Sequence, residues 1–136
     1  MASLSAVRTA LAATISAVPD LRVSATYQAQ VNPPAAIIMP SPGSIITWEA
    51  LGDVVNYYFR IAILVTYAED VSSQAALDAY LDSENPGSVI SALHADPTLG
   101  GQVAWAVPTS ASTYGLIEWA GVQYFGTNLQ VTVAAL

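Results

Sequence analysis

Residues 53–68 carry the most regular hydrophobic pattern in the chain. Every second position there is apolar or aromatic: Val55, Tyr57, Phe59, Ile61, Ile63, Val65 and Tyr67. A period of two predicts a β-strand with one buried face. The length of the pattern leads us to expect that this strand continues past the domain, into a long hairpin or a neighbouring subunit.

Two segments have the three- and four-residue spacing of amphipathic helices. The first covers residues 3–18, is capped by Ser3 or Ser5 and ends at Pro19. Its apolar stripe consists of Leu4, Val7, Leu11, Ile15 and Val18. The second covers residues 69–83, with Asp70 as the predicted N-cap and Leu77 and Leu81 facing inward. Its carboxylates should form a solvated face, since their spacing lacks the alternating ligands of a calcium loop.

Residues 86–107 predict a short helix, a tight turn and a strand. Pro86 suits the first helical position, and Asp96-Pro97 ends the helix. Gly100-Gly101 supplies the backbone freedom of a sharp reversal. In the strand that follows, we expect one buried face formed by Val103, Trp105 and Val107.

Shorter patterns complete the fold prediction. Residues 21–28 predict a strand, and residues 35–39 an edge or irregular strand between prolines. Residues 41–52 and 108–113 are predicted to be loops, and residues 114–119 and 122–134 the last two strands, joined near Ala120-Gly121. The prediction is one α+β domain over residues 1–136. It has a mainly antiparallel, mixed sheet, with the N-terminal helix and two short central helices packed on one face.

The charge composition excludes several classes of partner. Only 10% of the residues are charged, three are arginines, none is lysine, and the formal net charge is −7. A general nucleic-acid binder or a protein of anionic membrane surfaces needs more cations. No apolar run has the length of a membrane span. Few charges with many small apolar residues favour a subunit that hides surface in an assembly, and an alanine-rich monomer is the alternative.

Candidate catalytic residues are few. His94 is the only histidine and has no triad signature around it, and Gly100-Gly101 lacks the lysine of a phosphate loop. Glu49 and Glu118 could in principle act as a glycosidase pair, but no pattern brings them together. We therefore predict no catalytic, cofactor-binding or metal-binding residue. Of the three tryptophans that could stack on a sugar or a base (Trp48, Trp105 and Trp119), core packing suits Trp105 best.

A candidate subunit or partner interface comes from the apolar residues of the 41–52 loop. Apolar side chains in a loop either fold back on the core or meet a partner. Together with two residues on the less hydrophobic face of the long strand, the predicted interface residues are Ile45, Ile46, Trp48, Leu51, Tyr58 and Arg60.

From about residue 53 to the C-terminus, the chain resembles the tail terminator proteins of long-tailed bacteriophages. The resemblance lies in the order of a long strand ending in Thr66-Tyr67-Ala68, an acidic helix, two turn motifs and the C-terminal strands. The turn motifs are Asn85-Pro86-Gly87-Ser88 before the short helix and Asp96-Pro97-Thr98-Leu99-Gly100-Gly101 after it.

The resemblance implies a structural role without catalytic residues or cofactors. Such proteins form a homohexameric ring that caps the tail tube and stops its polymerisation. The ring presents a surface for head–tail joining. The implied partners are further copies of the chain, the tail tube protein and a head–tail connector protein. Genomic DNA would only pass through the lumen, and no membrane would be involved.

The implied location is the neck of the virion, at the top of the tail, after assembly in the host cytoplasm. Two alternatives stay open. The first is another neck protein, such as a connector or completion protein, or a tube-like subunit. The more distant one is a small acidic enzyme or carbohydrate-binding domain.

Overall fold

The computed structural model describes residues 3–19, 21–49, 54–66 and 71–135. Within these residues the helices are α1 (Leu4–Ile15), α2 (Val71–Leu81) and α3 (Val89–Ala95). The strands are β1 (Arg22–Ser24), β2 (Ala35–Pro40), β3 (Ile46–Glu49), β4 (Val54–Thr66), β5 (Trp105–Trp119) and β6 (Val122–Ala134). The predicted α+β class is confirmed.

All the strands described belong to one mixed sheet with β4 at its centre. The strand order is β1-β2-β4-β6-β5, and β3 pairs with the first residues of β4 beside β2. Every pairing is antiparallel except that of β1 with β2. Because β6 pairs with β4 from Asn56 to Thr66, the expectation that this strand runs on into a neighbour is wrong for its described residues.

The three helices cover one face of the sheet, as predicted. Val7, Leu11 and Ile15 of α1 are fully buried, as their spacing requires, and they share the main core with Leu77 of α2 and Leu93 of α3. The sheet contributes the alternate residues of β4 predicted to be buried, together with Leu129, Val131 and Val133 of β6. The two-residue period of both strands was therefore assigned to the correct face.

The opposite side of the sheet, here called the outer face, carries a second and smaller cluster. Ile37, Leu64 and Tyr124 are its buried members. The segment between β1 and β2 covers them, and the Tyr124 hydroxyl donates to the Val31 carbonyl at 3.4 Å. Only one half of the outer face is covered in this way.

Two predicted loops and one predicted edge strand are corrected. The 41–52 segment contains β3, and residues 108–113 lie within β5, an exposed edge strand whose small polar residues conceal its extended conformation. β2 is an internal strand rather than an edge. Its residues 35–38 are buried on both faces, so they read as a continuous apolar run. The predicted strand at 21–28 shortens to β1.

The start of α3 and the facing of β5 also differ from prediction. The helix begins at Val89 rather than at Pro86, because the Ser88 hydroxyl caps it by accepting from the Ser91 amide at 3.0 Å. Val103 is buried, but it precedes the strand, so the alternation counted from it is one residue out of step. Ala106 therefore faces the core, whereas Trp105 and Val107 are each 43% exposed.

The turn between β5 and β6 lies where the sequence placed it. Ala120 and Gly121 have φ angles of +50° and +83°. Two consecutive residues with positive φ form the tight turn that matches the twist of paired strands. The turn therefore sets the register of the hairpin.

Gly126 gives a test of the central packing. A Cβ atom there would lie 2.5 Å from the Ile63 carbonyl oxygen and 2.9 Å from Leu64 Cδ2. We expect Gly126→Ala to lower the free energy of unfolding by about 1–3 kcal/mol, because backbone would have to move. The matched control is Gly43→Ala, where nothing lies within 4 Å of the added atom. Urea denaturation measures both, and equal stabilities of the two variants would contradict this packing.

Candidate interaction surfaces

The predicted interface residues divide between the two faces of the sheet. Trp48 opposes Val55 and Ile46 opposes Tyr57, so both lie on the helix-bearing side. Trp48 is 66% exposed, whereas Ile46 packs partly against the main core. The Ile45 carbonyl accepts from the Tyr58 amide at 2.9 Å, so Ile45 is level with Tyr58, a residue of the outer face. Leu51 lies outside the described residues. The described members of the predicted interface therefore do not form a single surface, and their place in an interface stays a prediction.

Tyr58 and Arg60 belong to a half-buried polar strip on the uncovered half of the outer face. The members of this polar strip are Asn56, Tyr58 and Arg60 of β4 with Asn128, Gln130 and Thr132 of β6. Two hydrogen bonds join the strip to residues 41 and 47, which precede β4 in the chain. The Tyr58 hydroxyl lies 3.0 Å from Thr47 Oγ1, and Gln130 Nε2 donates to Ser41 Oγ at 3.3 Å. The strip is thus an ordered surface of amides and hydroxyls.

Two polar atoms in the strip are buried without a hydrogen-bond partner among the described residues. They are Arg60 Nε, a donor, and Asn56 Oδ1, an acceptor. The two residues lie on the same face of β4, four positions apart. Each unsatisfied buried group costs about 1–3 kcal/mol, which a partner with matching groups would recover. Sequence reasoning selected Arg60 but missed Asn56, Gln130 and Thr132, since polar residues in an alternating strand resemble ordinary solvated positions.

Exposed apolar side chains border the strip on β5. Trp105 opposes Ala134 and Val107 opposes Thr132, so both lie on the outer face beside the strip. Because β5 is the last strand of the sheet, its outer backbone edge has no partner strand among the residues that the structure describes. Pro108 and the register shifts at Pro108/Ser110 and Ser112/Gly115 interrupt that edge. Such irregularities limit uncontrolled strand pairing.

Two cavities of the described residues lie over the polar strip and along α1. A cleft of about 230 Å³ lies over the strip, between Tyr58, Thr109 and Gln130. A groove of about 580 Å³ runs along α1 and has Asp96 as its ionisable residue. The Asp96 carboxylate accepts from Thr14 Oγ1 at 3.2 Å and from the Gly100 amide at 3.0 Å. These bonds give Asp96 a structural role at the end of α3.

The two glutamates considered for glycoside hydrolysis lie in distant parts of the sheet. Glu49 pairs with Val54 at the start of β4, whereas Glu118 pairs with Gln123 near the hairpin turn, beyond the other end of β4. The geometry therefore rules out this pair as a glycosidase site. His94 is exposed at the end of α3. Within the described residues, no group of three or more metal-ligating side chains occurs.

The tryptophans do not converge on one binding platform either. Trp119 stacks on Tyr27 with ring centroids 5.5 Å apart, and its indole N–H donates to the Gln28 carbonyl at 2.6 Å. Trp105 lies at the other end of β5 and is exposed, so its predicted place in the core is wrong. Trp48 is on the opposite side of the sheet.

The exposed acids lie on the helix-bearing side, as predicted. Asp78, Asp82 and Glu84, on α2 and the turn after it, are exposed and are called here the acidic ridge. Asp82 Oδ1 accepts from the Glu84 amide at 2.9 Å. Asp78 Oδ1 accepts from the Tyr114 hydroxyl at 2.5 Å, which ties α2 to β5. None of the helices described is long and apolar enough to cross a bilayer.

The contact between Tyr114 and Asp78 predicts a dependence of stability on alkaline pH. Desolvation and the hydrogen-bonded Asp78 carboxylate raise the pKa of Tyr114 to about 12 from 10.0. The folded state thus retains a proton that the unfolded state loses, so this contribution is complete below pH 10 and disappears as the pH rises toward 12. We expect Tyr114→Phe to lose stability less steeply than the unsubstituted protein between pH 10 and 12.

Urea denaturation at several pH values measures this difference, and Tyr27→Phe is the control. Tyr27 is also exposed, but it stacks on Trp119 instead of donating to a carboxylate. Parallel pH profiles for Tyr114→Phe and the unsubstituted protein would exclude this contribution.

Comparison with known proteins adds no relative. No protein-family model matches the chain, and no curated protein shows significant sequence similarity to it. A proposal for the function therefore rests on two things. One is the set of surfaces described above: the polar strip, its apolar border and the acidic ridge. The other is the sequence resemblance of residues 53–136.

Proposed function

We propose that this chain is a structural subunit of a homohexameric ring, the tail terminator of a long-tailed bacteriophage. The ring caps the finished tail tube, stops its polymerisation and provides the head–tail joining surface. Its partners are further copies of itself, the tail tube protein and a head–tail connector protein. Genomic DNA passes through the lumen, and the ring belongs to the neck of the virion.

The observation that supports the ring best is the uncovered half of the outer face. There the polar strip, with two unsatisfied buried atoms, lies beside Trp105 and Val107, each 43% exposed. Apolar side chains around ordered hydrogen-bonding groups, with few charges, are typical of the centre of a protein interface. A single copy of the chain leaves this surface to solvent.

The charge composition agrees with the same role. With 10% charged residues, the chain has fewer charges than the roughly 25% of a typical globular domain. Closure of a ring places the same two unlike surfaces of every copy in contact. Burial of weakly charged surface in each contact then favours the assembled state.

The resemblance in residues 53–136 narrows the ring to a tail terminator. The described parts of the two turn motifs have structural roles here. Ser88 caps α3, and the Asp96 carboxylate accepts from the Gly100 amide. Other ring proteins of the neck and tube-like subunits share the ring, so binding to the tube distinguishes them from a terminator.

The test is the native mass of the purified chain, alone and with its tail tube protein, followed by a tube-length assay. We expect a six-subunit species and tubes whose growth stops when the chain is added. A six-subunit ring that leaves tube growth unchanged would indicate another neck protein. A monomer in both samples would contradict the ring.

Trp48 tests whether the helix-bearing side also takes part in assembly. We expect Trp48→Asp to weaken ring formation or tube binding about tenfold or more, because it removes an exposed aromatic side chain and adds a charge. The isolated fold should be unaffected, since Trp48 is 66% exposed. Gly43→Asp is the control, because it adds the same charge where nothing lies within 4 Å. Assembly equal to that of the control would exclude Trp48 from an interface.

A further inference from the structure

We propose that the polar strip of one copy receives the acidic ridge of a second copy, with Arg60 bound to the carboxylates of Asp82 and Glu84. This inference rests on the proposed ring and names the two surfaces that meet in it. The contact is head-to-tail, since the strip and the ridge lie on opposite sides of the sheet.

The first support is the separation of charge within the chain. Half of the acidic residues lie between residues 69 and 84, where five of the ten occur. Arg60 is the one charged residue in β2, β4 and β6. The uncovered half of the outer face therefore carries an isolated positive charge, while the helix-bearing side carries the exposed carboxylates of the acidic ridge. Such unlike surfaces are electrostatically complementary.

The second support is the state of Arg60 itself. Its Nε atom is buried and has no hydrogen-bond partner within the described residues, and Asn56 Oδ1, four positions away on the same face of β4, is in the same state. A guanidinium binds a carboxylate through parallel hydrogen bonds. Because Nε is buried in the single copy, the Arg60 side chain must turn outward to form them, which would also give Nε the acceptor that it lacks.

The third support is the form of the acidic ridge. Glu84 is exposed in the turn after α2, so a partner can reach it. Asp82 binds the Glu84 amide through Oδ1, which orders the turn and leaves its Oδ2 available. Asp78 is occupied by Tyr114 and holds α2 against β5. Asp82 and Glu84 are thus the ridge carboxylates suited to a partner.

Symmetry favours this pairing over a two-fold contact between outer faces. A two-fold axis through the strip would place Arg60 against Arg60, with no carboxylate from β2, β4 or β6 to separate the charges. A heterologous contact instead pairs opposite charges in every interface and closes into a ring when its rotation allows. Trp105 and Val107 would then bury apolar area at the border of the strip.

Reciprocal charge reversal tests the contact. We expect Arg60→Glu and Glu84→Arg each to weaken ring formation roughly a hundredfold, as for one partner of a buried ion pair. A chain carrying both substitutions should recover to within about tenfold of the unsubstituted protein, because each interface again joins opposite charges. Arg22→Glu, which reverses an exposed arginine on β1, should assemble as before. Native mass spectrometry against concentration measures all four variants.

The outcomes separate this inference from the proposed ring. Normal assembly of Arg60→Glu, or no recovery in the double variant, would overturn the contact while the ring stands. A monomeric unsubstituted chain, alone and with the tube protein, would overturn both. Circular dichroism verifies that each variant is folded. If Arg60→Glu does not fold, Glu84→Arg decides, since Glu84 is exposed and normal assembly of that variant would overturn the contact.

Discussion

The pairing of β4 with β6 is the constraint on which the other features depend. Eleven residue pairs, from Asn56 with Ala134 to Thr66 with Tyr124, fix the two strands in one register. That register directs Phe59 and Ile61 to the helices, and Tyr58 and Arg60 to the outer face. A slip by one residue would exchange the two sets, burying a guanidinium in the main core and exposing its largest apolar side chains. The core and the candidate interface therefore have a common origin.

The strongest local patterns predicted the fold, and the weaker ones failed for physical reasons. Alternation in β4 and β6, the stripe of α1 and the Ala120-Gly121 turn each reflect one buried face or one backbone requirement. β2 is covered on both faces, so its apolar run indicated a strand but not its internal place in the sheet. The edge strand β5 has almost no buried side chains, so its polar middle resembled a loop. The local pattern of apolar and polar residues indicates which side chains are buried. It does not indicate which strands pair, because the partners come from distant parts of the chain.

The same limitation applied to the candidate interface. Ile45, Ile46 and Trp48 are close in sequence, but Ile46 and Trp48 of β3 lie on the helix-bearing side, whereas Ile45, just before the strand, is level with Tyr58 of the outer face. Asn56 and Gln130 join Arg60 only because β4 and β6 pair in this register. Charge was more informative, since half of the acidic residues fall within residues 69–84, and this concentration becomes a separation between the two sides of the sheet.

The position of β4 in the chain has a consequence for how the protein folds. β2 and β3 precede it and can cover one of its edges early, but 55 residues separate Thr66 from the start of β6. During synthesis, the other edge of this apolar strand must therefore wait for α2, α3 and β5. Long-range pairing of this kind slows folding, and until it occurs the strand edge has unpaired backbone groups that can pair with another chain. A nascent chain in a crowded cytoplasm is thus most vulnerable to aggregation just before its last thirteen-residue strand, β6, arrives.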